Sequence, residues 1–374
     1  MGRRFETVRI TLVSPSLACG GAERCVTLLA GGFIERGHAV TLVTLDGEDT
    51  DFYKLPERAR RIGLAIAKNS STAIHGLYNN IQRLKILRNA INDTQPDFVV
   101  SHINRTNTLT ILALTHTHHR VIVVEHNNPL LNPSGRIWDA LRRMSYPRAQ
   151  KVVSVSWGVD SYFSWLAPEK RAVIHNPLAL SKERAGGSTW QTDPAVKWIA
   201  AMGRLTRQKG FDLLLSAFSA ISVRHPKWNL LILGEGELRR ELEELRDKLG
   251  LANRVVFPGL VADPARLLRT AELFVMASRF EGFPYAALEA MASGLPVIYT
   301  DCPSGPREII RHGIDGILVP NENVERLATA MDHLMTSEEE RKRLALRAPD
   351  VIKRFSLERT ISQWESLFNE FAGT

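Results

Sequence analysis

The sequence predicts an α/β protein with more than one domain, and three observations predict it. Apolar runs of strand length alternate with helix-period patterns along almost the whole chain. The 374 residues, 44% of them hydrophobic, are enough for two substantial cores. The alternation breaks in a polar stretch near residue 180 and then restarts. We therefore divide the chain at 1–180 and 181–353, with the rest helical.

Charge narrows the partners. Lysine plus arginine number 48 against 40 acids, a formal charge of +8. That surplus suits polyanionic ligands or an anionic membrane surface. It is spread widely, with no long basic run, which speaks against nucleic acid. Cys19, Cys25 and Cys302 are odd in number and share no metal-type spacing, so they read as reduced thiols. The N-terminus runs into a strand without an apolar signal segment, and no apolar run has the length of a bilayer span. The expectation is a cytoplasmic protein, peripheral on a membrane at most.

The first half opens with a strand over 8–14, a loop, and a helix over 22–36 that Gly37 should stop. Gly20-Gly21 sits where strand hands over to helix, so backbone can approach a ligand there, although the three-glycine dinucleotide pattern is absent. A strand over 39–44 leads into an acidic loop. Its Asp49 and Asp51 could hold Mg²⁺ or Mn²⁺ on a diphosphate, but no further ligand is in view and we read a solvated loop. No metal and no cofactor are expected. Residues 73–91 form an amphipathic helix, with Leu77, Ile81, Leu84, Leu87 and Ile91 at helical spacing and Arg83, Lys85 and Arg88 adding charge. Such a helix suits an acidic membrane or a diphosphate, and equally a core helix with a solvated face.

A strand over 98–101 follows. The helix from Thr106 should end in His116, His118 and His119, where the dipole favours them over a metal cluster. The strand over 121–124 ends in Glu125-His126-Asn127-Asn128-Pro129. Polar groups at the carboxyl end of such a strand belong to the ligand crevice of an open sheet, which makes His126 a site candidate. Residues 138–147 carry Arg142 and Arg143, with Arg148 just beyond, as another basic face. A strand over 152–156 and Val173-Ile174-His175-Asn176-Pro177 close this half, and the polar stretch 181–193 reads as a linker.

The second half restarts with a strand over 198–202 and a Gly-bounded loop flanked by Arg204 and Lys209. Two fixed cations there could neutralise a departing diphosphate without a metal. A strand over 230–233 ends in Gly234-Glu235-Gly236 before a charged helix, and the strand around Phe257 could turn its backbone to a base. Asp263 begins the next helix. The strand over 273–276 then enters the stretch around which the chain is organised, Ser278 to Ala290, whose centre is Glu281-Gly282-Phe283-Pro284-Tyr285-Ala286, with Glu289 beyond. Pro284 suits the first helical position. The N–H groups of Tyr285 and Ala286 are orphan donors at the positive end of a helix dipole, with no acid in the first turn, which makes an anion site. Gly282 lets a ligand approach the backbone. Glu281 and Glu289 bracket the site, each suited to hydroxyls on either side of a phosphate, as in a nucleotide-diphosphate sugar. Either glutamate alone would read as solvated, and the combination points to function. A strand over 296–298, a second Pro/Gly loop at 301–308 and a strand over 316–319 lead to the helical end, anchored by Trp364 and Phe368.

Glu281 to Glu289 resembles the E-x7-E motif of retaining family-four glycosyltransferases. Its companions stand in the expected order: Gly20-Gly21-Ala22-Glu23, Gly203-Arg204 with Lys209-Gly210, Gly234-Glu235-Gly236, and Asp301-Cys302-Pro303-Ser304-Gly305. The resemblance implies the GT-B fold, two Rossmann-like doubly wound domains facing across a cleft. It implies acceptor binding in 1–180, nucleotide-sugar binding in 181–353, and a final helix, 354–374, crossing back to the first domain. Phe52-Tyr53-Lys54-Leu55, Glu125-His126-Asn127 and Arg142-Arg143-Met144-Ser145-Tyr146-Pro147 are similar to bacterial transferases that extend polyprenyl-diphosphate-linked oligosaccharides with GalNAc or Gal. Tyr285 and the two alanines after it depart from relatives that carry Asn or Thr and larger aliphatics.

Carried over, the resemblance implies that Glu281 binds the donor sugar's hydroxyls and Glu289 the ribose. Arg204 and Lys209 hold the diphosphate, with Gly21, Gly234, Phe257, Gly282, Phe283, Pro284, Tyr285 and Ala286 completing donor binding. His126 supports the developing positive charge. Arg83, Lys85 and Arg88 meet the acceptor's diphosphate at the membrane. The implied reaction is retaining and metal-independent, from a UDP-sugar donor to a lipid-diphosphate-linked glycan acceptor. Two rivals share some of these features: a nucleotide-sugar epimerase or hydrolase of the same fold, and a non-catalytic protein that binds anionic glycan.

Overall fold

Runs of Val, Ile and Leu without polar alternation signal strands covered on both faces, the condition of a parallel sheet. The computed structural model, which describes residues 7–66, 73–179, 195–261 and 263–371, contains two such sheets. The linker expected at 181–193 and the side chain of Leu77 lie outside the described residues. The chain divides into two compact units, Met1–Pro177 with Phe355–Thr374, and Leu178–Arg354.

The first unit runs β1 (Arg9–Ser14), α1 (Gly21–Glu35), β2 (Ala39–Thr44), β3 (Arg60–Gly63), α2 (Ala73–Asn92), β4 (Phe98–His102), α3 (Asn104–Ala113), β5 (Arg120–Glu125), α4 (Arg136–Ser145), β6 (Lys151–Ser154), α5 (Trp157–Asp160) and β7 (Arg171–Val173). The second runs β8 (Lys197–Met202), α6 (Phe211–Ser222), β9 (Trp228–Leu233), α7 (Arg239–Lys248), β10 (Val255–Gly259), α8 (Pro264–Leu268), β11 (Leu273–Met276), α9 (Tyr285–Ala292), β12 (Val297–Asp301), α10 (Pro306–Ile309), β13 (Gly316–Pro320), α11 (Val324–Thr336), α12 (Glu338–Arg347) and α13 (Asp350–Arg354). The last helix, α14 (Leu357–Asn369), belongs to the first unit.

All neighbouring strands pair in parallel, in the orders β3-β2-β1-β4-β5-β6-β7 and β10-β9-β8-β11-β12-β13. Each order reverses once, between β1 and β4 and between β8 and β11. Loops leaving adjacent strands part company there, which opens the crevice where ligands sit in doubly wound sheets.

Helix ends follow local chemistry. Gly37, at φ +88, ends α1. Its N–H donates to the Ile34 carbonyl and that of His38 to Phe33, satisfying two orphan acceptors. The α3 helix stops at Ala113, before the three histidines expected to end it. The hydroxyls of Thr115 and Thr117 donate to the Ile111 and Leu114 carbonyls, at 3.0 and 2.6 Å, and compete with continued helix. His116 consequently lies in a turn at φ +64, and His119 bonds Asn92.

The core of the first unit reaches its C-terminal helix. Phe98 on β4 stacks on Phe368 of α14 with ring centroids 4.5 Å apart, and Phe33 of α1 lies 5.7 Å from the same ring. A Cβ at Gly32 would come within 2.6 Å of Ile361, so the glycine allows α1 and α14 to pack at close range. Burial of such rings is the main favourable term here, and truncating one to alanine costs about 3–5 kcal/mol.

Candidate active site

In the second unit, β8 and β11 are the strands at which sheet order reverses. The loop after β8 carries Arg204 and Lys209, and that after β11 carries Ser278 and Glu281. Two glycines let these loops close up. A Cβ on Gly210, at φ +64, would stand 2.0 Å from the Ala277 carbonyl oxygen, and one on Gly234, at φ +133, would stand 2.1 Å from that of Gly203. As a result Lys209 Nζ donates to Glu281 Oε1 at 2.7 Å. The same oxygen accepts the Ser278 and Tyr299 hydroxyls, each at 2.7 Å.

Glu281 is only 5% exposed, unlike the solvated carboxylate that either glutamate alone would suggest. A buried carboxylate is costly unless paired and hydrogen-bonded, and three donors on one oxygen meet that condition. They also fix the side chain. Among the described residues no partner is found for its other oxygen, Oε2, which leaves that atom an acceptor for a ligand. Burial, then the charge of Glu281, holds the Tyr299 phenol well above its ordinary value, so it remains a donor. The same two causes push the Cys302 thiol up, which keeps it protonated and poor as a nucleophile.

The turn after Glu281 differs by one residue from expectation. Pro284 is the cap, with an extended ψ of 95°, and α9 starts at Tyr285. With that ψ its carbonyl turns in to accept the first helical bond, from Ala287 N–H at 3.1 Å. No side chain caps this end and no acid lies in its first turn, so the positive end of the dipole is not neutralised locally. The loop after β12 packs on it: a Cβ at Gly305 would lie 2.8 Å from the Gly282 carbonyl oxygen. Phe283 and Tyr285 are buried, as is Glu289, the fifth residue of α9. Arg204 is exposed, and among the described residues no ion pair or hydrogen bond of its guanidinium is found. The Phe257 carbonyl, expected to face a base, already accepts Arg239 Nη2 at 2.8 Å.

The first unit builds a different site at its own reversal. The β1 strand ends at Ser14, and α1 begins at Gly21, which is exposed, behind Gly20 with no side-chain cap. His102 ends β4 and His126 follows β5. The β4–β5 register aligns His102 with Val124, so His126, two residues on, projects to the same side. His102 Nδ1 and His126 Nε2 are 3.0 Å apart. Burial lowers His126 to about 4, and burial together with His126 holds His102 well below its usual value. Both rings are therefore neutral at pH 7, one donating to the other.

Beside them, burial raises Glu125 to about 7 against the pull of Arg142, 4.0 Å away. Glu125 accepts a hydrogen bond from the Tyr146 hydroxyl. Arg142 is fully buried and donates to Asn104 and Asp139, each at 3.0 Å. It is a structural ion rather than part of the basic face expected on this helix, because Asp139, one turn earlier, and Glu125 draw it inward.

Of the amphipathic face expected on α2, Leu87 and Ile91 are buried and Ile81 is exposed. Arg88 is turned onto α3, where its Nη2 donates to the Thr115 carbonyl at 3.0 Å and its Nε to Ala113. Lys85 is exposed and Arg83 half-buried. In the acidic loop Asp51 is held by Arg61 through two bonds of 2.9 Å. Among the described residues no group of three or more His, Cys, Asp or Glu is placed to hold a metal ion. No described helix is long and apolar enough to cross a membrane.

Sequence reasoning singled out Glu281, Lys209 and His126, but not the groups that hold them. Ser278 lay in the stretch without a role. Tyr299 sits in an apolar strand, paired in register with Met276, and projects to the side of Ser278, two residues beyond. Nothing in a single strand's sequence signals that contact. His102, polar at the carboxyl end of an apolar strand, carried the same signal that pointed to His126.

Comparison with known proteins places this geometry. Residues 19–182 match Glycosyltransferase Family 4, and residues 190–351 match Glycosyl transferases group 1. A Campylobacter jejuni protein named as a GalNAc-alpha-(1->4)-GalNAc-alpha-(1->3)-diNAcBac-PP-undecaprenol alpha-1,4-N-acetyl-D-galactosaminyltransferase is 27% identical over 365 residues, 97% of this chain and 99% of that one. Among solved structures, sucrose-phosphate synthase from Thermosynechococcus elongatus superposes with a TM-score of 0.84 at 20% identity, covering 98% of this chain and 100% of that one. The Anabaena protein HepE, solved with UDP and glucose, gives 0.78 at 18%, covering 97% and 100%. With two Rossmann-like units of the GT-B type and both family matches in order, the chain belongs to the family 4, group 1 glycosyltransferases.

Proposed function

We propose that this enzyme transfers a hexose or N-acetylhexosamine, GalNAc or Gal by preference, from a UDP-sugar to a polyprenyl-diphosphate-linked glycan, retaining anomeric configuration. The product would enter a bacterial surface polysaccharide or glycoprotein glycan. The observation that carries the reading is the locked carboxylate of Glu281 just before an uncapped helix start, with the exposed Arg204 on the loop of the neighbouring strand β8. An anion site next to an oriented acceptor of hydroxyl bonds suits a sugar joined to a diphosphate. The relative named for transfer to a PP-undecaprenol glycan, similar over the full chain, supports the acceptor class, and the UDP complex of HepE supports the donor class.

The acceptor hydroxyl oxygen bonds the anomeric carbon as the bond from that carbon to the UDP oxygen breaks. The leaving phosphate keeps the electron pair and takes the hydroxyl proton, so no protein base is required. Arg204 and Lys209 offset the charge that grows on the diphosphate, a part that a metal would otherwise play. Glu281 Oε2 orients the sugar through its hydroxyls, and Glu289 takes the ribose. His126, neutral by burial, would not repel positive charge that develops on the sugar. The enzyme works at the cytoplasmic face of an anionic membrane, where its acceptor lies.

The test is a screen of UDP- and GDP-sugars with a lipid-diphosphate glycan acceptor, with and without chelator. Retained product from a UDP-sugar, unaffected by chelator, is expected. Consumption of donor without acceptor would favour the hydrolase or epimerase, and loss on chelation would return a metal to the site.

A further inference from the structure

We propose that α4 and the groove beside it form the face by which this protein docks on an anionic phospholipid bilayer. The inference deepens the proposed function, since a lipid-linked acceptor brings the enzyme to a membrane, but it stands on a separate surface. Sequence periodicity had put that contact on α2, yet Arg88 is committed to α3.

Four features coincide on α4. First, Ile137, Leu141 and Met144 follow at helical spacing along one stripe, and Ile137 and Met144 are 76% and 67% exposed. Leu130, in the loop before the helix, is 73% exposed. Large apolar side chains scattered singly need no explanation, but three within fifteen residues do. Second, the stripe borders a groove of about 830 Å³ lined by Leu84, Leu109, Leu112, Ile137, Trp138 and Leu141. That lining would take the end of an acyl chain. Third, Arg136 and Arg143, two turns apart, line one side of the stripe, each one position before an apolar residue of it, and both are exposed. Arg105 stacks on Trp138 at 5.5 Å, and Arg148 follows the helix.

Fourth, the charge is one-sided. Residues 130–148 hold four arginines and a single acid, Asp139, which is bound to the buried Arg142. The exposed helix α7 offers the contrast. There Arg239 pairs with Glu243 and Arg240 with Glu244, the pattern of a face in water. Cations without acids beside an apolar stripe complement an anionic lipid surface, and a neutral protein partner would gain nothing from them.

The experiment is co-sedimentation of the full chain with phosphatidylcholine vesicles, with and without phosphatidylglycerol. Binding to the anionic vesicles, weakened by salt, is expected. The double variant I137E/M144E should lower it by about tenfold or more. R136Q/R143Q should lower it by about fivefold per arginine. Circular dichroism checks that each variant folds. Transfer to a soluble acceptor without a polyprenyl chain should be unchanged in both, which separates loss of docking from failure of the proposed reaction. The proposal is overturned if wild type ignores anionic vesicles, or if both variants bind as it does. It is equally overturned if light scattering shows this face to be a dimer contact that I137E/M144E abolishes.

Discussion

The unit of residues 178–354 keeps ions at its sheet reversal, whereas the other unit keeps neutral rings at its own. Lys209 and Glu281 sit 2.7 Å apart with two hydroxyls completing the carboxylate's shell, while His102 and His126 share one hydrogen bond in surroundings too dry for either to charge. The strand order around the reversal is the same, but the polar groups stand one strand apart: Lys209 and Glu281 follow β8 and β11, the two strands of the reversal, whereas His102 ends β4 and His126 follows β5. The number of donors within reach differs too. Three donors make a buried charge tolerable, and one imidazole facing another does not. The first arrangement suits a diphosphate and its sugar. The second suits a group that must not be repelled when positive charge develops.

The largest effect that would test this contrast is at Glu281. Glu281→Gln keeps the shape but loses the charge that orients Lys209 and both hydroxyls. Transfer should fall by about 10³-fold or more, with the thermal midpoint lowered by only a few degrees. Should the midpoint collapse while the rate per folded molecule holds, the carboxylate is a core ion and nothing more.

Next in size is the pH dependence of stability. His126 is lowered from 6.5 to about 4 on folding. Its stabilising contribution is therefore complete above about pH 6.5 and is lost as pH falls toward 4, in total about 3 kcal/mol at about 1.4 kcal/mol per unit. Glu125, raised to about 7, acts oppositely, its contribution fading as pH rises from the ordinary carboxylate range through 7. Denaturant unfolding of wild type and His126→Asn across this range should show a larger acid-side loss in wild type than in the variant, where His102 alone still contributes. Equal slopes would mean that His126 charges freely in the folded protein.

A smaller change is expected at His102, which holds His126 without a proposed ligand contact. His102→Phe should reduce kcat by about tenfold while leaving KM for the acceptor within about threefold, the pattern of a lost orienting partner. A rise in KM alone would place His102 in acceptor binding instead.

Much of this was legible in the sequence, for physical reasons. Strands buried on both faces must be apolar throughout, so the doubly wound α/β class could be read from β1, β4 and β11 directly. The Glu281–Glu289 stretch could be read because proline, glycine and acid spacing around a helix start is local chemistry. Contacts across strands could not. Tyr299 reaches Glu281, and His102 reaches His126, through register between different segments, and register has no signature in either segment alone. Arg142 and Arg88 show the same limit from the other side. Both looked like surface charge, but neighbours distant in sequence, Asn104 and Thr115, hold them in place.

The central claim is that the β8–β11 reversal binds the nucleoside diphosphate, and calorimetric titration with UDP tests it most directly. Arg204 is the appropriate probe, since it is exposed and its loss leaves no buried charge behind. The account predicts that wild type binds UDP and that Arg204→Gln binds it about tenfold or more weakly. Equal affinity in the two proteins, or no UDP binding by wild type, would contradict it.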